Sequence, residues 1–479
     1  MDRRHFMKSC ALFAGAMSIA PDVLARLTPT MGPARLKIGI LSDIHIRHAH
    51  QTGTLEAAFT YFRDEGADGV LIAGDMADAG LARQLKWVAE TWERVFPKGK
   101  APDGRRVEKL FIYGNHDIEG QFYGDLADIV PKEGLEELRR TECLVHDRAG
   151  YWKKIFKERF EPIYVKEVKG YKFVGAHWDS QERITGLSEF LEAHRAELEG
   201  DRPFFYFQHP HPKNTCSGPW AWGQDNGEST AALSCFPNCI AFSGHSHTIL
   251  NDDYTIWQGD FVSVGTSSLS YTYARGGREN TYVDGDPERV PAQMAVVDQS
   301  DGRQGMLMTV YDQCVTLQRR EFVYGESLGD DWVIPLPVGK GAHTLSFAYR
   351  ADHAKAPAFP AGATVRISSA AGKDRYGEEQ MQTAVHFPNV LCRNAHQRAY
   401  DFEVQVEMRD EDTEKIMLTK RVMSPHFYLG ESKDEDEVVC LFGEKELPTY
   451  RPIRFAVRPV ECFGKKGQPI YSEWIKLSR

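Results

Sequence analysis

Five polar motifs each stand directly behind a short apolar run, and this pairing constrains the fold more than any other feature of the chain. The runs at 36–42, 69–73, 109–113, 203–208 and 239–243 have the length and composition of buried strands. The motifs that follow or close them are Asp43-Ile44-His45, Gly74-Asp75, Gly114-Asn115-His116-Asp117, Gln208-His209-Pro210 and Gly244-His245-Ser246-His247. Between the first runs, Leu55, Ala58, Phe59 and Phe62 recur at helical spacing, and so do Leu81, Leu85, Val88 and Trp92. Strand alternating with helix predicts an α/β domain, a layered sheet with helices on its faces. Loops at strand ends on one edge of such a sheet can converge without burying charge inside it.

The pattern loosens over 118–160, where an irregular insertion with extra helices is expected. It resumes with strands near 162–168 and 171–176 and a helix near 187–198; further strands are expected at 254–267, 293–299 and 305–310. Residues 331–479 lack helical periodicity. Phe402, Val404, Val406 and Met408 alternate there, as do Ile453, Phe455 and Val457, which is the period of strands with one buried face. The expected organisation is an α/β domain over 34–325 and a smaller all-β sandwich over 328–479. Arg451 to Trp474, turning at 464–467, loosely resembles the last hairpin of a fibronectin type III module. The charged run from Glu431 to Glu437 reads as a solvated loop.

With 479 residues and 42% hydrophobic composition, the chain can build a large core and is too long for one comfortable domain. Its net charge of −10 argues against a nucleic-acid backbone as the main partner, so no stable nucleic-acid complex is expected. Residues 1–25 read as a processing segment. Arg3-Arg4-His5-Phe6-Met7-Lys8 opens it, an apolar run follows from Ala11 to Ala20, and Val23-Leu24-Ala25 closes it. The run is too short to anchor in a bilayer and resembles a twin-arginine export signal, which predicts a periplasmic protein without a transmembrane anchor. The alternative is a basic tail on a cytoplasmic protein. Cys235 and Cys239 could pair with each other or with Cys216 in an oxidising compartment; otherwise they are buried or idle thiols.

The motifs supply carboxylates and imidazoles in a pattern suited to metal. Asp43 and His45, two apart, can reach one ion where the chain curves off a strand. Asp75 follows a glycine, and its two oxygens could bridge two ions. Asn115 adds a neutral amide oxygen, and His209, His245 and His247 complete the set. Two ions about 4 Å apart would clamp the oxygens of a phosphoester and hold a hydroxide for in-line attack. The mixed nitrogen and oxygen donors fit Mn, Fe, Zn or Co better than Ca. His116 is the candidate proton donor to the leaving oxygen, with the Asp78 side chain as its orienting partner. Asp117 reads as a turn acceptor. Trp178, Asp179, His211, His48, His50 and the loop that runs from Trp220 and Trp222 to Thr230 are candidate rim residues.

Taken in order, Asp-Ile-His, Gly-Asp-Met-Ala-Asp, Gly-Asn-His-Asp, the lone His209 and Gly-His-Ser-His resemble the pattern of the calcineurin-like metallophosphoesterases over about 36–270. The resemblance implies a two-sheet sandwich flanked by helices rather than a single open sheet. It implies that Asp43, His45, Asp75 and His247 hold one metal and Asp75, Asn115, His209 and His245 the other, as divalent or mixed-valence Mn, Fe or Zn. It implies hydrolysis of a mono- or diester by metal-bound hydroxide, with His116 as acid and Asp78 orienting it. Protein phosphatases of this kind carry Asp-Arg-Gly where this chain has Asp78-Ala79-Gly80, so their phosphate clamp is missing. Purple acid phosphatases place a metal-bound tyrosine where Asp78 stands, which argues against a purple ferric centre. The expected substrate is a small or surface-borne phosphoester. The competing readings are a non-catalytic, metal-containing glycan-binding or adhesion protein and a nuclease, the latter disfavoured by net acidity.

Overall fold

The computed structural model describes residues 32–179, 183–219, 222–274, 301–373, 377–391, 398–411, 413–443 and 445–477. The processing segment at 1–25, the strand expected at 293–299 and Trp220 lie outside them.

The first sheet opens with β1 (Leu36–Leu41), β2 (Gly69–Ala73) and β3 (Glu108–Ile112), paired in parallel. The next six strands form a second sheet: β4 (Ile163–Val168), β5 (Tyr171–Ala176), β6 (Phe204–Phe207), β7 (Cys239–Ser243), β8 (Ile256–Gln258) and β9 (Val262–Gly265). Their order is β4-β5-β6-β7-β9-β8, with β5, β6, β7 and β9 parallel. The chain then returns to the first sheet as β10 (Gln304–Val310), β11 (Cys314–Glu321), β12 (Glu326–Ser327) and β13 (Trp332–Pro335). β10 lies antiparallel to β1, and β12 and β13 both pair with β11. The α/β domain is thus a two-sheet sandwich and not one layered sheet.

Side-chain alternation explains the layers. Ile38, Ile40, Leu71, Ala73, Leu110 and Ile112 from the first sheet pack with Phe173, Phe205, Phe207, Ile240, Phe242 and Val264 from the second. The intervening residues Val70, Ile72 and Phe111 face outward against Leu55, Phe59 and Phe62 of the helix Thr52–Asp64 and Leu85, Val88 and Trp92 of the helix Ala82–Val95. On the far side, Val174, Phe204, Tyr206 and Ala241 meet Leu187 and Leu191 of the helix Leu187–Ala193 and Leu233 of the helix Glu228–Leu233. Strands buried on both faces read as continuous apolar runs, which is why the sequence shows them so plainly. The insertion carries the helices Leu135–Glu142 and Arg148–Phe156, and the helix expected at 187–198 is divided into Leu187–Ala193 and Arg195–Leu198.

The compact α/β unit continues to Ser346, and the second unit starts at Phe347. The change of pattern near 328 therefore marks a strand of the first sheet, β13, where Trp332 pairs with Leu317 and Ile334 with Val315. Period-two alternation is the same in either unit, so it could not separate them. The second unit begins with the helix Phe347–His353, which buries no residue and so leaves no periodic stripe in the sequence. Its strands are β14 (Arg366–Lys373), β15 (Glu379–Pro388), β16 (Asp401–Asp410), β17 (Thr413–Met423), β18 (Glu437–Gly443), β19 (Ile453–Val460) and β20 (Ile470–Tyr471). They form two sheets, β14-β15-β18 and β17-β16-β19-β20, around Phe387, Phe402, Val404, Val406, Phe442, Phe455 and Val457. This is a separate all-β sandwich.

Among the described residues, Cys143, Cys216, Cys235, Cys239, Cys314 and Cys440 are free thiols. Cys239 is buried in β7 while Cys235 is exposed, so neither the Cys235–Cys239 bridge nor one to Cys216 is formed.

Candidate metal centre

Every motif sits at the C-terminal end of a strand. Asp43 and His45 leave β1, and Asp75 leaves β2. Asn115 opens the helix Asn115–Glu119 after β3, His209 follows β6, and His245 and His247 follow β7. Two glycines allow the loops to approach this closely. Gly74 has φ +93°, and a Cβ on it would lie 2.5 Å from His209 Nδ1. A Cβ on Gly114 would collide with the Asp75 carboxylate. Five donor residues also take left-handed backbone conformations: Asp43 (φ 49°), His45 (47°), Asp75 (53°), His245 (72°) and His247 (53°).

The side chains converge on two adjoining clusters, Asp43–His45–His247 and Asp75–His209–His245. In the first, His247 Nε2 lies 3.1 Å from Asp43 Oδ1 and 3.2 Å from His45 Nε2. In the second, His209 Nε2 lies 3.1 Å from Asp75 Oδ2 and 3.2 Å from His245 Nδ1. Asp75 Oδ2 is also 3.7 Å from His45 Nε2, which puts this carboxylate between the clusters.

The hydrogen-bond partners fix which nitrogens are free. His209 Nδ1 donates to the Ala73 carbonyl (2.7 Å) and His247 Nδ1 to the Tyr271 carbonyl (2.9 Å). His45 Nδ1 donates to the Asp78 carboxylate at 3.1 Å. A neutral ring that donates at one nitrogen presents a lone pair at the other. Nε2 of His45 and Nε2 of His247 therefore face each other, and Nε2 of His209 faces a carboxylate, so a cation, either a proton or a metal ion, belongs between them. Asn115 Oδ1, at the start of the helix that follows β3, is buried without a hydrogen-bond partner. The cluster is a cation trap by its field as well. Burial pulls the His45 ring down, but hydrogen bonds to Asp43 and Asp78 and the charge of Asp75 carry it up to about 10. For His209, Asp75 and Asp43 outweigh burial and carry it to about 9. Burial and the neighbouring His209 push His245 down to about 3, leaving it a neutral donor. These His/Asp clusters are consistent with a dinuclear metal site.

His116 stands at the edge of the first cluster, its ring edge-on to His45 with centroids 4.5 Å apart. Its Nδ1 bonds the backbone carbonyl of Asp78 at 2.8 Å, while the Asp78 carboxylate is 3.7 Å away. That carboxylate is instead taken by His45 and by Arg47 Nη1 at 2.8 Å. The side chain expected to orient His116 thus supports His45, because the turn after Asp75 points the carbonyl, not the carboxylate, at His116. Asp117 is a turn acceptor as expected: its oxygens take the backbone N–H of Ala77 (2.7 Å) and Gly114 (2.8 Å), and burial beside Asp75 pushes its carboxyl up to about 7.

The fold of this unit is that of a calcineurin-like metallophosphoesterase. The sequence profile described as Calcineurin-like phosphoesterase matches residues 36–249. Similar solved structures include a dimetal phosphatase from Danio rerio, 11% identical with a TM-score of 0.37, covering 63% of this chain and 99% of that one. They also include GAP50, the anchor in the inner membrane complex of Plasmodium, at 8% identity and TM-score 0.38, covering 64% and 90%. Vacuolar protein sorting 29 from Cryptosporidium parvum is 10% identical with a TM-score of 0.27, covering 63% and 97%. No curated protein matches the chain.

The other candidate rim residues divide. Trp178 is 1% exposed and packs about 6 Å behind His209 and His245 (centroids 6.2 and 6.1 Å), its Nε1 donating to Glu119. His211 is buried between the hydroxyls of Ser243 and Ser246, bracing the His245–His247 loop instead of meeting solvent. Asp179 is exposed and accepts the Thr185 N–H. His48 and His50 stack on each other on the surface, with His48 paired to Asp128. Trp222 does reach the centre, stacked on His245. Tyr123, Tyr271 and Arg47 touch the site without having been singled out from sequence. The two tyrosines lie in polar stretches outside any periodic run, where an exposed aromatic was the one available sign.

Proposed function

We propose that this protein is a dinuclear metal-dependent phosphoesterase. The observation that carries the reading is the pair of adjoining clusters, Asp43–His45–His247 and Asp75–His209–His245, with the Asp75 carboxylate between them. Asp43, His45, Asp75 and His247 would hold one ion, and Asp75, Asn115, His209 and His245 the other. Bound there, Mn, Fe or Zn would supply Lewis-acid polarisation of the ester oxygens and a more acidic water. The chain's own part is to position and to move a proton. The Ala73, Tyr271 and Asp78 oxygens hold three ligand rings in one tautomer each. The Asp78 carbonyl fixes the proton of His116 on Nδ1, so Nε2 is the atom that exchanges a proton with the leaving oxygen. Burial lowers the His116 pKa below its ordinary value, which suits it to release that proton.

Chelator-stripped protein reloaded with Mn or Zn should take up two ions per chain and hydrolyse bis-p-nitrophenyl phosphate or its monoester. A well-loaded protein that holds one ion, or that cleaves no member of a broad phosphoester panel, refutes the reading. We further propose export by the twin-arginine route, supported by Arg3-Arg4 and the apolar run behind it. In the described residues no helix is long and apolar enough to cross a membrane. The second unit is proposed to be a fibronectin type III-like module, which its sheets of three and four strands support.

A further inference from the structure

The edge of the metal centre is faced with exposed aromatic rings, each lying against a histidine of the site. Trp222 stacks on His245 with centroids 4.6 Å apart and planes 20° apart, and it is 60% exposed. Tyr271 lies 4.2 Å from His247 and 5.9 Å from His45, 47% exposed. Tyr123 lies 4.8 Å from His116, 49% exposed. The three come from separate loops, yet each contacts an imidazole of the adjoining groups Asp75–His209–His245, Asp43–His45–His247 and His45–Asp78–His116.

These rings are held by backbone bonds. The Trp222 loop is fixed by His211 N–H to the Gly223 carbonyl (3.0 Å) and Asp225 N–H to the His211 carbonyl (2.8 Å). The Tyr271 segment is fixed by Tyr273 N–H to the His247 carbonyl (2.8 Å) and Ile249 N–H to the Tyr273 carbonyl (3.2 Å). Arg47, the cation two residues past His45, is bound to Asp78 and Asp128. What these loops offer a substrate beyond its phosphoryl group is π surface. An exposed indole costs solvation unless something flat covers it, and stacking is indifferent to hydrogen-bond pattern but selective for a planar ring.

We propose that Trp222, Tyr271 and Tyr123 form a stacking collar that selects phosphoesters whose organic part carries a planar aromatic ring, as a nucleobase or an aryl group does. The proposal rests on the phosphoesterase reading for the position of the phosphoryl group. The test separates the two. The Mn-loaded full-length protein is titrated calorimetrically with phenylphosphonate and with methylphosphonate, which it cannot hydrolyse and which differ in the ring alone. In parallel, kcat/KM is measured for adenosine 5′-monophosphate, ribose 5-phosphate and phenyl phosphate. Phenylphosphonate should bind about tenfold more tightly than methylphosphonate, the scale of one stacked ring. Trp222→Ala and Tyr271→Ala should each erase most of that ratio, and Trp222→Phe should retain it. A preference for the adenosine ester over the ribose ester assigns the collar to a base; a preference for phenyl phosphate alone assigns it to an aryl group. Equal binding of the two phosphonates, or a ratio unchanged in both alanine variants, overturns the proposal even if turnover is observed. Selective binding of phenylphosphonate without turnover of any ester would keep the collar and sink the phosphoesterase reading instead.

Discussion

Removing the Asp78 side chain separates two roles that one carboxylate could have played. In the structure it accepts from His45 Nδ1 at 3.1 Å and from Arg47 at 2.8 Å, whereas His116 leans on the Asp78 backbone carbonyl. Asp78→Ala deletes the oxygen that fixes the His45 tautomer and keeps the carbonyl. Loss of such a supporting partner typically weakens metal binding or activity by about 10- to 100-fold, or about 1.4–2.7 kcal/mol. Asp78→Asn should lie at the low end, because an amide oxygen still accepts from His45. The Asp78 charge is the weakest of the causes acting on His116, and it raises that pKa. Its removal should therefore move the His116-dependent limb of the pH–rate profile downward without abolishing it. The assay is calorimetric metal titration of chelator-stripped Asp78→Ala beside its pH–rate profile, with His116→Ala as reference. Normal metal affinity combined with loss of the limb, as in His116→Ala, would refute this division of labour.

Asp75→Asn should loosen both ions and reduce turnover by on the order of 10³-fold, several kcal/mol of transition-state stabilisation, read by elemental analysis and kcat. His177 is buried and accepts the Tyr113 N–H at 3.0 Å, and burial holds its pKa down near 3. The unfolded chain binds its proton near pH 6.5 and the fold does not. Its contribution is thus complete above about pH 6.5 and falls by up to about 1.4 kcal/mol per pH unit on acidification toward pH 3. Urea unfolding from pH 7.5 to 4.5 should show a shallower acid loss in His177→Gln. Phe207→Ala, at the centre of the inter-sheet core, should cost about 3–5 kcal/mol in denaturant unfolding without changing the metal stoichiometry.

The parts of this fold that were legible share one property: burial forces a pattern. β2 and β7 match the expected bounds because strands covered on both faces must be apolar throughout. The convergence of Asp43, His45, Asp75, His209, His245 and His247 was legible because each stands in a polar motif directly behind an apolar strand. Which sheet each strand joins was not, since Phe173 and Leu71 face the same core from opposite sheets and carry the same pattern. Partner choice was hidden for a related reason. The spacing of Asp78 and His116 cannot say whether a carboxylate or a carbonyl faces the ring, because both oxygens of one residue lie within reach of it. The collar was hidden because an exposed tyrosine in a loop reads like any other.

The strained donors connect the site to stability. Asp43, His45, Asp75, His245 and His247 all have φ between 47° and 72°. At about 1 kcal/mol each for non-glycine residues, less where Asp and His tolerate this region, they cost up to about 5 kcal/mol, comparable to the whole stability of a small domain. The fold sustains this because the strain sits at the ends of strands whose other residues are locked into a two-sided core. A ligand that binds only the folded site returns the cost in proportion to its affinity. The same geometry makes the site selective: the donors cannot relax outward without breaking the Ala73, Tyr271 and Asp78 contacts, so the cluster suits a small cation at its centre.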